Sequence, residues 1–166
     1  MAKKYTAGLL LYRIRGGEAE VFLVHPGGPY WTNKDAGAWS IPKGEAEDGE
    51  DLQEAARREF HEETGSPFMG PLSPLVPVRQ RGGKIVHAWA GQGDLDAETL
   101  RSNFFTLEWP PRSGRMQDFP EVDRAGWFTL SDAEAKMLAS QRPLLGQLKS
   151  LLESARARGR DDDPPG

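Results

Sequence analysis

Residues 44–66 read GEAEDGEDLQEAARREFHEETGS and carry the strongest pattern in the chain. The pattern predicts a helix over 50–64, because Gly65 follows the last periodic position and Pro67 stands just beyond it. At about 100° per residue, the apolar side chains of this helix share one arc, which must face the core. They are Leu52, Ala55, Ala56 and Phe60.

Three carboxylates lie on or beside the same arc, namely Glu59, Glu62 and Glu63. Like charges at these separations repel each other, and partial burial adds a desolvation cost. A solvated acidic face is the alternative, but that would keep the acidic and apolar arcs apart. A divalent cation removes the conflict, since hard oxygen ligands suit Mg²⁺ or Mn²⁺. The helix therefore predicts a metal site.

Arg58 precedes Glu62 by four residues, a spacing at which a salt bridge can orient the carboxylate. An ordinary surface ion pair is the competing interpretation. On the opposite side of the helix, Glu54, Arg57 and His61 are expected to face solvent.

Strand-like segments lie on both sides of this helix. Thr6–Ile14 and 20–24 are expected to pair across Arg15-Gly16-Gly17, and Gly8 indicates a close backbone approach or a bulge. A second hairpin is predicted for 75–80 and 84–90 around residues 81–83. Further expected elements are the turn-rich loop 26–37, an extended piece at 39–42, the loop 109–120 and a strand over 124–130.

Two helices are expected near the C-terminus, one with a capping box at 131–134 and an amphipathic one over 143–153. Strands and helices then alternate around one core, which defines an α/β class with a mixed sheet. We expect a single domain over 1–155 and a flexible charged tail over 156–166.

Composition narrows the class of function. Hydrophobic residues make up 37% and charged residues 28%, as in a globular protein, and the net charge of −4 argues against binding a nucleic-acid polymer. The absence of cysteine excludes thiol catalysis and cysteine-bound zinc. With neither a signal peptide nor an apolar span in this sequence, we expect a cytoplasmic address and no membrane partner.

The stretch Gly44-x5-Glu50-x7-Arg58-Glu59-Phe60-x-Glu62-Glu63-x-Gly65-Ser66 resembles the Nudix box, G-x5-E-x7-R-E-U-x-E-E-x-G-U with U apolar. Ser66 departs from the pattern at its last apolar position. The lead-in 39–44 (WSIPKG) and the segments 120–122 and 127–128 are also similar to the surroundings of the box in that family. The resemblance implies an α/β/α sandwich with a mixed central sheet, and hydrolysis of a nucleoside diphosphate linked to another group.

The resemblance also implies roles for individual residues. Glu59, Glu62 and Glu63 match the metal-binding glutamates, with Mg²⁺ as the cofactor and Mn²⁺ as a substitute. Arg58 matches the orienting arginine. Glu50 matches the glutamate that supports the loop or adds a metal contact, and Gly44 the glycine that bends the loop and offers a carbonyl to metal.

A base must take a proton from the attacking water. The box glutamates Glu59 and Glu62 are the first candidates. Glu121, in a loop before a strand, is the candidate outside the box; an ordinary surface carboxylate is the equal alternative.

Phosphate binding calls for cations, and a nucleobase calls for an aromatic face. The expected cations are Lys43 first, then Lys84, Arg79, Arg112 and Arg115, although any of them alone also fits a solvated charge. Tyr30 and Trp31 are the expected stacking residues, with Phe105 and Trp109 second. Trp39 and Trp127 are expected in the core, and no role is assigned to the histidines.

The lead-in at 39–44 resembles most closely the Nudix branch that cleaves diadenosine tetraphosphate and related dinucleoside polyphosphates. Nucleoside triphosphate pyrophosphohydrolases share much of it, and ADP-ribose or ADP-sugar hydrolysis is less favoured. A nucleotide-binding sensor without turnover is the alternative of a different class; its mark would be a broken glutamate set, whereas this set is intact.

Overall fold

The computed structural model describes residues 5–80 and 82–161, without the side chains of 159–161. Arg81 of the expected 81–83 turn and residues 162–166 of the expected tail lie outside the described residues. The strands are β1 Thr6–Arg15, β2 Glu18–Pro26, β3 Lys43–Glu45, β4 Ser73–Pro74, β5 Val78–Arg79, β6 Ile85–Gln92, β7 Phe104–Glu108, β8 Met116–Pro120 and β9 Val122–Thr129. The helices are α1 Leu52–Thr64, α2 Leu130–Lys136 and α3 Pro143–Asp161.

Seven strands form the main sheet, in the order β4-β6-β1-β2-β9, with β3 paired to β1 and β5 to β6. The pair β1–β6 is parallel, with Leu9 opposite Trp89, and the other pairs are antiparallel. β1 takes the central place because its side chains are apolar on both faces. The sheet is therefore mixed, as predicted.

Alternate side chains of the central strands enter two different cores. Leu9 and Leu11 pack with Phe60 of α1 on one face. Leu10 lies in the other core, which includes Met137 beyond α2 and Leu144 of α3. Helices thus cover both faces of the sheet, and the α/β/α sandwich is confirmed.

Helix α1 begins two residues later than predicted. Asp51 is its N-cap, with a side-chain oxygen that accepts from the N–H of Glu54 over 3.1 Å. Gly65 ends the helix at φ 81°, and its N–H donates to the carbonyl of His61. The C-terminal end is as predicted.

Gly8 makes the close approach that the sequence indicated. A Cβ there would lie 2.7 Å from Ile41 Cδ1, and the neighbouring N–H of Leu9 donates to the carbonyl of Pro42 over 3.1 Å. Segment 41–43 therefore packs closely against β1, with Lys43 opposite Gly8. This places Lys43 beside Glu63, near the C-terminal end of α1.

The expected loop 109–120 was wrong in its second half. Met116–Pro120 is strand β8, which pairs with β7 in a separate two-stranded sheet, with Phe105 opposite Phe119. The first three residues of β8 are all exposed, so the strand lacks the period-2 alternation of a half-buried strand. Only residues 109–115 form the connecting loop.

Other element ends also differ from the predictions. The strand expected at 75–80 is reduced to β5 by Pro77, which lacks the N–H that a ladder needs. Thr129, not Ser131, caps α2, through a bond from the N–H of Asp132 over 3.2 Å. Helix α3 runs eight residues past its expected end at Glu153, into the segment expected as tail; the division into domain and flexible tail stays a prediction.

Within residues 5–80 and 82–161, no helix has both the length and the apolar character needed to cross a membrane.

Candidate active site

The box helix turns its glutamates toward the protein body. Glu59 and Glu63 are buried, with 8% and 9% of their surface exposed, and the side chain of Glu62 is 37% exposed. His61 is exposed, as expected. Arg57 is not fully solvated: it is half-buried and donates to the carbonyl of Phe68 over 2.8 Å.

Strand β3 receives two of these carboxylates. The N–H of Lys43 donates to Glu63 Oε2 over 2.8 Å. Gly44 lies against the carboxylate of Glu59, so that a Cβ at position 44 would overlap it. The missing side chain of Gly44 therefore makes the space into which Glu59 fits.

Arg58 joins the loop to the helix. Its guanidinium donates to both oxygens of Glu50 at 2.9 Å, in the bidentate geometry that arginine forms best. The same group donates to Glu59 Oε1 at 2.9 Å and to Glu62 Oε2 at 3.1 Å, and also to the carbonyl of Glu45. In this structure Glu50 supports the loop and helix through Arg58.

The electrostatics of the site follow from burial and from the density of carboxylates. Hydrogen bonds from Arg58 hold the pKa of Glu50 down at about 2. Burial raises the pKa of Glu63 to about 8, and burial followed by the charge of Glu62 raises the pKa of Glu59. The pKa of Glu121 is raised by burial and then by Glu62. Carboxyl groups are thus crowded between α1 and Glu121, where their ionised forms call for a proton or a cation.

The positive charge in the site does not balance these carboxylates. Burial lowers the pKa of the Lys43 ammonium, although the neighbouring Glu63 opposes that shift. Arg58 is already shared between Glu50, Glu59 and Glu62. A further cation is therefore favoured beside Glu59, Glu62, Glu63 and Glu121.

The donor set fits a hard divalent cation, because all of its side-chain ligands are carboxylate oxygens and their charge is in excess. Within the described part of the chain, however, no three acidic or histidine side chains already stand in a metal-binding arrangement. Arg58 donates to Glu59 and Glu62 in this structure. Glu59, Glu62 and Glu63 are the residues of this helix that could hold the ion if those contacts were exchanged for it.

A cavity of about 170 Å³ opens beside the carboxylates. It brings together four residues singled out from the sequence, which are Trp31, Lys43, Glu63 and Glu121. Val24, Ser40, Val122 and Leu138 also line it, and sequence reasoning did not find them. A larger cavity of about 590 Å³ beside Trp127 contains none of the candidate residues.

The aromatic candidates divide into two groups. Trp31 lines the cavity, and Lys34 Nζ lies 4.8 Å from the centre of its ring. Tyr30 is 58% exposed and meets Trp109 edge-to-face, with ring centres 5.3 Å apart. Phe105 packs against Gly28. The β7–β8 hairpin therefore contacts the 26–37 loop. Trp39 is in the core as expected, whereas Trp127 is partly buried and packs against the core on the other face of the sheet, edge-to-face with Phe22.

Of the cationic residues expected from the sequence to bind phosphate, only Lys43 lines this cavity. Lys84 forms an ion pair with Glu45 at 3.1 Å, close enough for its charge to act on Lys43. Arg79 is exposed on β5, and Arg112 and Arg115 are exposed in the loop of the β7–β8 hairpin. Among the described contacts, these last three have none with the box glutamates.

A glutamate-rich helix, a half-buried lysine and an aromatic wall lie together on an α/β/α sandwich, an arrangement suited to a hydrolase for phosphorylated substrates. The NUDIX domain model matches residues 3–148, and the chain therefore belongs to the Nudix family. It is an enzyme of the Nudix pyrophosphate-hydrolase class, whose members generally use divalent metal ions.

Solved structures of this family share the fold. An Ap4A hydrolase of C. elegans in a binary complex has 24% identity and a TM-score of 0.61, over 92% of this chain and 99% of that one. The NUDIX domain of Shewanella oneidensis NrtR, complexed with ADP ribose, has 18% identity and a TM-score of 0.62, over 92% and 90%. A mutT/nudix family protein of Listeria innocua has 19% identity and a TM-score of 0.63, over 95% and 98%.

Proposed function

We propose that this protein is a Mg²⁺-dependent hydrolase that cleaves a phosphoanhydride bond in a dinucleoside polyphosphate of the diadenosine tetraphosphate type. One observation carries the proposal: Trp31, Lys43, Glu63 and Glu121 line the same cavity. Such a cavity offers an aromatic face for a base, a cation for phosphate and carboxylates for metal and proton transfer.

Glu59, Glu62 and Glu63 are the proposed metal ligands, and Mn²⁺ is expected to replace Mg²⁺. Gly44 leaves room for the carboxylate of Glu59, and the N–H of Lys43 donates to the carboxylate of Glu63 and holds it in place. When bound, the ion neutralises phosphate charge and lowers the pKa of the attacking water.

The chain's own groups complete the chemistry. Lys43 faces the cavity and offsets negative charge on the bound phosphates. Arg58 fixes Glu50 and orients Glu62. A box glutamate is the proposed base, with Glu121 as the second candidate, because its raised pKa lies closer to the working pH than that of a solvated glutamate.

The size of the cavity bears on the substrate. At about 170 Å³ it is below the roughly 300–1,000 Å³ of a small-molecule site, so it holds one group and the rest of the substrate extends along the surface. Tyr30, next to Trp31 in the 26–37 loop, is exposed and meets the half-buried Trp109 of the β7–β8 hairpin edge-to-face. A substrate with a base at each end of a polyphosphate matches two aromatic surfaces better than a mononucleotide does.

The test is phosphate or nucleotide release, with Mg²⁺, from a panel of diadenosine tetraphosphate, nucleoside triphosphates and ADP-ribose. The panel covers the two nucleotides that appear in the names of structural neighbours, Ap4A and ADP ribose. We expect the highest kcat/KM for diadenosine tetraphosphate, and none without a divalent ion. A preference for triphosphates or ADP-ribose would overturn the substrate assignment, and binding without turnover of any substrate would identify a sensor instead.

A further inference from the structure

His25 is a fully buried polar side chain outside the carboxylate site. It lies near the end of β2, where the pairing with β9 shifts register between His25 and Pro26. Its Nδ1 is 2.8 Å from Asp123 Oδ1, and its Nε2 is 2.6 Å from the backbone carbonyl of Lys34. Trp39 meets the ring edge-to-face, with centres 5.3 Å apart.

Both neighbours of this ring are hydrogen-bond acceptors. A backbone carbonyl can only accept, and an ionised carboxylate can only accept, whereas a neutral imidazole has a single N–H. A neutral His25 beside an ionised Asp123 would therefore leave one short contact with no proton. Two N–H groups on the ring satisfy both contacts at once.

The charged surroundings favour placing the extra proton on the ring. Asp123 is 31% exposed and its Oδ1 lies 3.9 Å from Arg124 Nε, so both water and a cation stabilise the carboxylate. From the loop side, Asp35 is already paired with Lys136 of α2 at 2.5 Å, and the Lys34 ammonium lies over Trp31. Asp123 is thus the counter-ion of His25.

The carbonyl that His25 binds belongs to the residue that fixes Trp31. The N–H of Lys34 donates to the carbonyl of Trp31 over 2.9 Å, and the Lys34 ammonium lies 4.8 Å from the centre of the Trp31 ring. Holding Lys34 therefore holds Trp31 against the cavity it lines.

We propose that His25 is a positioning residue, protonated on both ring nitrogens, that ties the loop carrying Trp31 to Asp123 at the start of β9. Its described contacts, with Asp123, Lys34 and Trp39, include no residue proposed as a metal ligand. The inference rests on the proposed function only where substrate affinity is the readout; the protonation and the order of the loop are independent of it.

The matched variants are His25→Asn and His25→Gln. An asparagine amide stands near the place of Nδ1 and keeps the bond to Asp123, whereas a glutamine amide stands near the place of Nε2 and keeps the bond to the Lys34 carbonyl. Both lose the ring that packs on Trp39. Any difference in KM or hydrogen exchange between the two variants is therefore due to the hydrogen bond to the Lys34 carbonyl, because the loss of packing on Trp39 is common to both.

We expect His25→Asn to raise KM by roughly fivefold, the factor that one hydrogen bond contributes, with a smaller change in kcat. It should also speed amide hydrogen exchange at Lys34. His25→Gln should restore both quantities to near the wild-type values. Equal effects of the two variants on KM and on exchange would overturn the positioning role, and the exchange result stands even if no nucleotide is turned over.

Nitrogen-detected NMR of the histidine ring tests the protonation directly. The wild-type protein at neutral pH should show a proton on both Nδ1 and Nε2. In Asp123→Asn, the new amide can donate to Nδ1, so the ring should become neutral with the proton on Nε2. A wild-type ring with one unprotonated nitrogen would refute the inference, whatever the enzyme hydrolyses.

Discussion

The backbone N–H of Lys43 donates to Oε2 of Glu63 over 2.8 Å, across the gap between strand β3 and helix α1. This bond holds a buried carboxylate in place but does not neutralise it. Burial therefore still raises the pKa of Glu63 to about 8. Without a metal, a proton supplies the missing positive charge; with a metal, the ion displaces that proton.

The first prediction concerns pH and the metal-free protein. Since the pKa of Glu63 rises on folding from 4.5 to about 8, the folded state binds more protons within that window. Protonation of Glu63 therefore contributes to the free energy of unfolding. This contribution is fully present below the unfolded pKa and is lost as pH rises through about 8. Glu59 and Glu121 shift in the same direction. The Tm without metal should therefore fall across the window, and Mg²⁺ should raise it most at the alkaline end.

Glu63→Gln is the control for this effect, because it removes the titrating group and keeps an oxygen acceptor for the N–H of Lys43. The fall in Tm with pH should be shallower in that variant. The account would be contradicted if the wild-type Tm without metal did not change between pH 4.5 and about 8. It would also be contradicted if Mg²⁺ raised the Tm equally at both ends of that pH range.

The second prediction is that Glu62→Gln lowers kcat by at least about 10–100-fold, because a lost ligand should cost no less than a lost supporting contact. Without metal the variant should be as stable as the wild type or slightly more so, since it relieves repulsion on one helix face. Steady-state kinetics and thermal unfolding check both parts. Near-wild-type turnover would show that Glu62 is not a ligand.

The third prediction uses the close approach at Gly44. In Gly44→Ala, the new Cβ overlaps the Glu59 carboxylate and displaces it, so Mg²⁺ affinity should fall by roughly 10–100-fold. Gly146→Ala is the matched control, because the added Cβ on α3 meets no described atom within 4 Å outside the adjoining residues and the backbone of its own helix. This variant should be more stable by up to about 1 kcal/mol. Titration calorimetry with Mg²⁺ compares the two. Unchanged affinity in Gly44→Ala would remove Glu59 from the site.

The fourth prediction separates the two adjacent aromatic residues. Trp31→Ala should raise KM by roughly 5–150-fold, the equivalent of about 1–3 kcal/mol of lost stacking, with little effect on kcat, because Trp31 lines the cavity. Tyr30→Ala should have a smaller effect on KM, since Tyr30 packs on Trp109 outside the cavity. KM values unchanged in both variants would place the base elsewhere.

The sequence predicted those parts of the fold whose cause is local. The helix from Leu52 to Thr64, its stop at Gly65 and the inward side of Glu59 and Glu63 follow from periodicity and cap chemistry. The central hairpin follows from two apolar runs around Gly16 and Gly17. These signals lie within a few residues of the features they specify.

The parts that were missed depend on residues far apart in the chain. The β7–β8 hairpin is held by contacts with the 26–37 loop, such as Tyr30 with Trp109. Gln141 is buried and bonds Ile41 and Ser40, a hundred positions away, which no local pattern indicates. His25 with Asp123 is a pair of the same kind. Arg112 and Arg115 were singled out by their charge and their place in a loop that could border the site, and their role stays a prediction.

The most direct test of the central claim is the anomalous diffraction signal of Mn²⁺ in crystals of the wild-type protein. The account predicts a peak bound by carboxylate oxygens of Glu59, Glu62 and Glu63, with Arg58 released from at least one of them. Crystals without a peak beside α1, or with these carboxylates turned into solvent, would contradict it.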